Sequence, residues 1–315
     1  MKKKALVAGG AGFIGSHLCE RLLKEGYFVF CIDSLYTSSK NNIKHLEGNT
    51  NFVFMNYDVT QIFDLEVQEI YNLACPASPV HYQSNPLFTI QTTINGAIHL
   101  ATLAQKIKAK YFQASTSEVY GEPTISPQPE TYWGNVNPIG IRACYDESKR
   151  LAESILFIMH RQQPFPLKIG RIFNTYGPRM SLEDGRVISS FILQALTDQD
   201  VTLFGTGEQT RSFCYIDDLI EGILKFMNTN DDIIGPINLG NDTEFTIKET
   251  AELIINLTDS RSKIIHLPLP QDDPTQRKPD IRLALELLKW QATISLTDGI
   301  KKMLPYYKEN LRPIP

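Results

Sequence analysis

The sequence predicts an α/β fold, with a doubly wound parallel sheet followed by a smaller C-terminal domain. Short, continuously apolar runs alternate with helical patterns through the first half of the chain. Such runs are typical of parallel strands that are covered on both faces. A glycine-rich turn directly follows the first run, and the pattern changes after residue 174, where proline and glycine become frequent. These three observations together indicate two unequal domains.

The first half supplies six predicted strands and three predicted helices. The strands are predicted at residues 5–8, 28–32, 52–55, 69–73, 111–114 and 167–173. The helices are predicted at residues 16–25, 86–107 and 144–161. Strands that alternate with helices in this way indicate one parallel sheet covered on both faces.

The second half predicts shorter elements and one return to the main sheet. Helical patterns recur at residues 187–196, 217–227, 247–257 and 281–288. A strand at residues 236–239 is expected to join the main sheet. We therefore predict a dinucleotide-binding domain at residues 1–175 plus about 211–242, and a substrate-binding domain at about 176–210 plus 243–315.

Composition excludes several classes of protein. The 315 residues include 31 Lys+Arg and 35 Asp+Glu, a net charge of −4, which argues against binding nucleic acid by bulk charge. The five cysteines are scattered, without zinc-ligand spacing or a disulfide framework, so a reducing, cytoplasmic location and no metal are expected. No apolar stretch approaches the roughly 18 residues of a transmembrane helix.

The glycine-rich turn predicts a Rossmann-type dinucleotide site. It reads Gly9-Gly10-Ala11-Gly12-Phe13-Ile14-Gly15, between a strand and a helix. Glycines allow the tight turn and the close approach of a pyrophosphate to the helix N-terminus. Asp33 ends the second strand, where an acid accepts ribose hydroxyls and repels a 2′-phosphate, which favours NAD over NADP. Asp58 ends the third strand and faces either the adenine amino group or only solvent in a surface turn.

A tyrosine and a lysine four residues apart predict an acid–base pair. Tyr145 and Lys149 lie on one face of a predicted helix, one turn apart. A neighbouring ammonium and an oxidised nicotinamide are expected to lower the pKa of the phenol, so that Tyr145 removes a hydroxyl proton. Thr116 and Glu118 follow the fifth strand, at the edge where ligands of such sheets bind. Glu118 either points into that pocket or only begins a surface helix.

These motifs resemble the extended short-chain dehydrogenase/reductase family and, within it, the UDP-glucuronate decarboxylases. The resemblance extends in order over nearly the whole chain. It rests on the segments at residues 74–82, 114–121, 132–138, 171–180, 184–187, 209–213 and 277–280.

The resemblance implies NAD as cofactor and a UDP-sugar as substrate. Tyr145 would open carbon 4 of UDP-glucuronate to oxidation, Lys149 would tune it and Thr116 would position the hydroxyl. The 4-ketone would then lose carbon dioxide, and re-reduction would give UDP-xylose. Glu118 and Arg277 resemble the residues that handle the carboxylate and the later protonation of carbon 5, although Arg277 could instead pair with Asp280.

The resemblance also implies the remaining site residues and a homodimer. The residues expected at the cofactor are Gly9, Gly12, Phe13, Ile14, Asp33, Asp58, Val59, Leu73, Ala74, Thr92, Ala114, Tyr145, Lys149 and Thr175. Asn174, Arg186 and Arg211 match positions near the uridine diphosphate. Two helices per subunit, near residues 86–107 and 144–161, would form the dimer, although core packing alone could explain their apolar residues.

The chain departs from the family pattern at Gln91, Thr93 and Ser38, where Lys, Asn and Gly are usual. Three alternatives stay open. A decarboxylase could release the UDP-4-keto-pentose, and another epimerase or dehydratase could share the oxidation step. A dehydratase needs an acid pair where this chain has Ser117 and Glu118. A dinucleotide sensor without activity would usually have lost Tyr145 or Lys149.

Overall fold

The computed structural model describes residues 2–269 and 274–311 and is built around a seven-stranded parallel sheet. The strand order is β3-β2-β1-β4-β5-β6-β11, and every neighbouring pair is parallel. The order reverses beside β1, where a doubly wound sheet opens a crevice for ligands. The seven strands are β1 Lys4–Ala8, β2 Phe28–Asp33, β3 Phe52–Asn56, β4 Glu69–Asn72, β5 Lys110–Thr116, β6 Leu167–Ile172 and β11 Ile237–Leu239.

Helices cover both faces of this sheet. Alternate residues of β1 enter different apolar clusters: Val7 packs with the cluster that contains Leu18, whereas Leu6 packs with the cluster that contains Leu100 and Leu156. Both faces of the strand are thus removed from water, which explains its unbroken apolar sequence. The helices are α1 Phe13–Lys24, α2 Pro79–Ser84, α3 Pro86–Ile107, α4 Ala143–Gln162, α5 Val187–Leu196, α6 Ile216–Met227, α7 Ile247–Thr258, α8 Arg282–Leu288 and α9 Leu296–Asn310.

Smaller sheets accompany the C-terminal helices. Strand β8 pairs with β13, β9 pairs with both β12 and β14, and β7 pairs with β10. These strands are β7 Thr175–Tyr176, β8 Val201–Phe204, β9 Thr210–Ser212, β10 Cys214–Tyr215, β12 Glu244–Thr246, β13 Ile264–Leu267 and β14 Gln276–Arg277. Leu18 of α1, Ile188 of α5 and Ile300 of α9 belong to one buried cluster. The division into two domains stays a prediction.

The predicted fold class is confirmed, including the return of the chain to the sheet at β11, which pairs with β6. Two helices were not predicted. Helix α2 has only six residues, and α9 contains Pro305, which interrupts the helical pattern in the sequence. Ser295 caps α9, because its hydroxyl oxygen accepts a hydrogen bond from the N–H of Asp298 at 3.1 Å.

Candidate active site

A cavity of about 950 Å³ opens at the carboxyl edge of the main sheet. The glycine-rich turn, the end of β5, the start of α4, helix α5 and residues of the segment from Phe204 to Arg211 line it. A smaller cavity of about 70 Å³ adjoins it and shares Gly9, Gly12, Leu73 and Cys75. The smaller cavity is lined by Asp33 at the end of β2 and by Tyr57 and Asp58 after β3.

The glycine-rich turn is shaped so that only glycine fits at its key positions. Gly9 has a φ of 73°, and a Cβ there would lie 2.9 Å from the backbone N of Ala74. A Cβ on Gly15 would collide with the carbonyl oxygen of Gly9. Gly12 caps α1 without a side-chain acceptor for the first amides of that helix. These amides and the helix dipole make the turn suitable for a pyrophosphate.

Asp33 lies at the end of β2, beside the turn, and is only 8% exposed. Its Oδ2 accepts a hydrogen bond from the N–H of Ala11 at 3.0 Å. Its Oδ1 accepts from the N–H of Leu35 at 2.9 Å and from the hydroxyl of Ser38 at 2.7 Å. Ser38, one of the departures from the family pattern, therefore fixes the orientation of the carboxylate that is expected to bind ribose.

The smaller cavity collects the other residues expected around adenosine. Asp58, Val59, Leu73, Ala74 and Thr92 all line it. The Thr92 hydroxyl is buried and has no hydrogen-bond partner among the described residues. A buried polar atom without a partner is unfavourable unless a ligand supplies one, so this position suits a bound nucleotide.

The two departures on α3, Gln91 and Thr93, differ in burial, and neither lines a cavity among the described residues. Gln91 is exposed and lines neither cavity among the described residues. Thr93 is buried, and its hydroxyl lies 3.1 Å from the Cys75 sulfur and donates to the carbonyl oxygen of Thr89 at 2.7 Å.

The cavity brings together Thr116, Tyr145 and Lys149, as the sequence predicts. Lys149 is buried, and its ammonium donates to the carbonyl oxygen of Ala114 at 2.8 Å while it lies 5.7 Å from the centre of the Tyr145 ring. Burial raises the pKa of Tyr145 well above its usual value, and a hydrogen bond with Thr116 lowers it only in part. In the protein alone desolvation thus keeps the Tyr145 phenol protonated, and the lowering of its pKa expected from Lys149 together with an oxidised nicotinamide stays a prediction.

Glu118 follows Thr116 and lies between two guanidinium groups. Its Oε2 accepts from Nη2 of Arg142 at 2.5 Å and from Nη2 of Arg277 at 3.2 Å. These two positive charges outweigh desolvation and hold the pKa of the Glu118 carboxyl well below its usual value. Arg277 is 1% exposed, also donates to the carbonyl oxygen of Gly121 at 2.6 Å, and does not line the cavity among the described residues. The alternative partner Asp280 instead bonds Arg282.

The residues expected at the uridine diphosphate line the same cavity. Asn174, Arg186 and Arg211 all border it. The Asn174 amide nitrogen is buried without a hydrogen-bond partner among the described residues, which suits it to bind a ligand. Nη2 of Arg186 donates to Asp184 at 2.8 Å, and this carboxylate fixes the orientation of the guanidinium. The remaining expected cofactor residues, Phe13, Ile14, Ala114 and Thr175, line the same cavity.

Two residues that line the cavity, Tyr82 and Arg142, are not among the site residues predicted from the sequence. The Tyr82 ring stacks on the Tyr145 ring, with centroids 5.0 Å apart and an angle of 9° between the planes. The Tyr82 hydroxyl is buried without a hydrogen-bond partner among the described residues. Arg142 lines the cavity three residues before Tyr145. Only the spacing of Arg142 from Tyr145 could have indicated a role, and no motif of the sequence alone marks it.

Metal-binding clusters and membrane-spanning helices are both absent from the part of the chain that the structure describes. It contains no group of three or more His, Cys, Asp or Glu side chains arranged to hold a metal ion. Among its helices, none is long and apolar enough to cross a membrane.

Comparisons with known proteins agree with this geometry. Residues 5–240 match the model of the NAD dependent epimerase/dehydratase family. The chain is 47% identical over 310 residues to UDP-glucuronic acid decarboxylase 1 of Danio rerio, covering 98% of this chain and 74% of that protein. It is 48% identical over 310 residues to UDP-glucuronic acid decarboxylase 3 of Arabidopsis thaliana, covering 98% and 89%. The fold is similar to the crystal structure of UDP-glucuronic acid 4-epimerase from Bacillus cereus in complex with UDP-glucuronic acid and NAD, with a TM-score of 0.87, 31% identity, and coverage of 98% and 99%.

Proposed function

The chain belongs to the NAD dependent epimerase/dehydratase family, and we propose that within it the protein converts UDP-glucuronate to UDP-xylose by NAD-dependent decarboxylation. The observation that carries this proposal is the position of the Tyr145 pair and Glu118 on one cavity wall. Relatives that are about half identical over nearly the whole chain are UDP-glucuronic acid decarboxylases.

The residues around the glycine-rich turn fit NAD. The turn keeps its tight form because a Cβ at Gly15 would collide with the backbone of Gly9, and the Thr92 hydroxyl offers an unsatisfied polar atom in the adjoining cavity. Asp33 places a carboxylate where a 2′-phosphate would be repelled. Bound there, NAD would supply a hydride acceptor for carbon 4 of the sugar and later return the hydride.

Tyr145 would take the proton from the hydroxyl on carbon 4, with Thr116 holding that hydroxyl in place. Because burial raises the pKa of Tyr145, the phenolate needs positive charge close by. Lys149 is held against the Ala114 carbonyl oxygen, next to the ring, where its ammonium stabilises the phenolate.

Loss of carbon dioxide follows from the chemistry of the 4-ketone. The ketone is β to the carboxylate, so the electrons of the breaking carbon–carbon bond move onto the ketone oxygen. Tyr145, now protonated, would donate a hydrogen bond to this oxygen. Glu118 is ionised between its two arginines, so it would orient a proton donor such as water toward carbon 5 rather than give up a proton of its own.

The proposal includes a cytoplasmic homodimer. Helices α3 and α4 pack together and present exposed apolar side chains at Leu87, Ile90, Leu151 and Ile158. Exposed apolar residues grouped on neighbouring helices support a protein contact. All five cysteines are free thiols, which supports a reducing compartment.

The test is NMR of the purified protein incubated with UDP-glucuronate, with and without added NAD. We expect UDP-xylose and bicarbonate. Accumulation of UDP-4-keto-pentose with stoichiometric NADH would show that the second hydride transfer is missing. Binding of UDP-glucuronate without turnover would refute the decarboxylase and favour a sensor.

A further inference from the structure

Glu118 lies between two arginines that have different access to the cavity. Arg277 is 1% exposed and lies behind Glu118. Arg142 lies on the other side of Glu118 and forms part of the cavity wall. A substrate carboxylate can therefore reach the guanidinium of Arg142, whereas Glu118 and the backbone of Gly121 enclose that of Arg277.

We propose that Arg142 binds the carboxylate of the sugar acid and so selects UDP-glucuronate over neutral UDP-hexoses. This inference rests on the proposed function, and it assigns binding of the substrate carboxylate to one residue. Arg277 is then a positioning residue, which holds Glu118 from behind and does not touch the sugar.

Arg142 lies close to the catalytic tyrosine, Tyr145. It is the residue before α4, and its carbonyl oxygen accepts a hydrogen bond from the N–H of Tyr145 at 2.9 Å. Its guanidinium carbon is 6.0 Å from the centre of the Tyr82 ring, which stacks on the ring of Tyr145. In the sugar acid, the carbon that bears the carboxylate is adjacent to the carbon whose hydroxyl Tyr145 deprotonates. A carboxylate-binding group must therefore lie near Tyr145, as Arg142 does.

The guanidinium is held by acidic groups on two elements. Glu118, after β5, bonds Nη2 at 2.5 Å, and Asp146, in the first turn of α4, has Oδ2 3.9 Å from Nε. The Arg142 side chain is only 14% exposed. A guanidinium has five N–H donors in a rigid plane, so it can bond more than one carboxylate at once. An arginine oriented in this way loses little freedom when a substrate carboxylate binds.

The charge balance of the cluster also favours an anion. Arg142 and Arg277 face two carboxylates, Glu118 and Asp146, and Glu147 adds a more distant negative charge. Burial and the neighbouring Glu118 together raise the pKa of Asp146 to about 7, although the two arginines act to lower it. Near neutral pH a fraction of Asp146 is thus uncharged, which reduces the negative charge that a substrate carboxylate would meet beside Arg142.

The test measures binding to NAD-loaded protein by calorimetry, with Tyr145→Phe as the parent so that no ligand turns over. UDP-glucuronate, UDP-glucose and UDP are compared for the parent, Arg142→Gln and Arg142→Lys. Arg161→Gln is the matched control, because Arg161 is an exposed arginine in the last turn of the same helix. Thermal unfolding of each variant shows that it is folded.

We expect Arg142→Gln to weaken UDP-glucuronate about tenfold to a hundredfold, the range for a hydrogen bond to a charged group. UDP-glucose and UDP should change by less than about threefold, since they lack the carboxylate. Arg142→Lys keeps the positive charge but loses the planar set of N–H donors, so its affinity for UDP-glucuronate should fall several-fold. This variant keeps the test valid if Arg142→Gln does not fold.

Equal weakening of UDP-glucuronate and UDP-glucose would overturn the proposal and leave Arg142 a structural residue. Undiminished preference for UDP-glucuronate in both Arg142 variants would also overturn it. The NMR experiment tests the proposed function separately. A wild-type protein that prefers UDP-glucuronate through Arg142 but forms neither UDP-xylose nor UDP-4-keto-pentose would refute the decarboxylase and leave the role of Arg142 intact.

Discussion

Replacing Glu118 by glutamine should destabilise the fold as well as stop catalysis. The carboxylate bonds Arg142 at 2.5 Å and Arg277 at 3.2 Å, and these side chains are 14% and 1% exposed. Removing one member of a buried charge cluster leaves the others without compensation and costs about 3–5 kcal/mol. Because glutamine still offers one acceptor and Glu118 is itself 14% exposed, we expect about 3 kcal/mol, the lower end of that range.

The assay is urea unfolding followed by circular dichroism, with Glu252→Gln on the exposed face of α7 as control. The double variant Glu118→Gln/Arg142→Gln should lose less than the sum of the single variants, with a coupling of about 1 kcal/mol or more. The pKa of Glu118 is depressed in the folded protein, so its stabilisation is present above the unfolded pKa and is lost only in strong acid. Glu118 also helps to raise the pKa of Asp146 to about 7, so the loss in the variant should shrink as the pH rises toward 7 and be constant above about pH 8.

A loss of unfolding free energy below about 1 kcal/mol would refute this reasoning, since that is the value of an exposed ion pair. Strict additivity of the two substitutions would also refute it, because the side chains would then not act as one cluster.

Three further predictions concern the cofactor end of the molecule. Gly15→Ala places a Cβ against the Gly9 carbonyl oxygen. We expect the variant to lose about 1–3 kcal/mol of stability and to lose NAD binding, as measured by fluorescence titration. A normal affinity for NAD would contradict the role of the turn. Asp33→Asn removes the negative charge that Ala11, Leu35 and Ser38 orient. The ratio of the NADP dissociation constant to the NAD dissociation constant should fall about tenfold, the effect of roughly one charge-assisted hydrogen bond. An unchanged ratio would show that Asp33 does not select NAD over NADP. His17 has its pKa lowered to about 4 by burial and by Arg179, so its neutral form stabilises the fold above its unfolded pKa, and that stability falls as pH drops from about 6.5 to 4 by up to about 3 kcal/mol. Urea unfolding of His17→Asn should show a flatter pH dependence over this window, whereas exposed His266→Asn should follow the wild type; parallel curves for His17→Asn and the wild type would show that His17 is not the titrating group.

The fold was predictable where local signals agree. Helix α3 matches its predicted residues because Asn85 caps it, Pro86 suits its first position, and the left-handed Lys108 ends it. The glycine-rich turn was predictable because glycine is required by backbone geometry within seven residues. Helix α9 was missed because Pro305 lies inside it, and tertiary packing of Ile300 and Met303 stabilises the helix despite that residue.

The charged end of the site was not predictable in the same way. Glu118 and Arg277 are 159 positions apart, and strand β14 brings them together through its pairing with β9. Arg142 lies close to Tyr145 in sequence, but nothing in its type or spacing shows that it rather than Arg277 borders the cavity. The raised pKa of Tyr145 depends on its burial, including the stacked ring of Tyr82, and such burial is a property of the folded chain alone.

The protonation state of Glu118 bears on the choice between decarboxylation and dehydration. Both reactions begin with oxidation at carbon 4, and dehydration then expels a hydroxyl from carbon 6 and needs an acid to protonate it. Glu118 is ionised between Arg142 and Arg277, and the neighbouring Ser117 is a poor proton donor. Decarboxylation needs no acid at carbon 6, because the 4-ketone accepts the electrons and the leaving group departs as a neutral molecule. Fixed positive charge around a carboxylate therefore suits this wall to a substrate that arrives as an acid and loses that acid within the cavity.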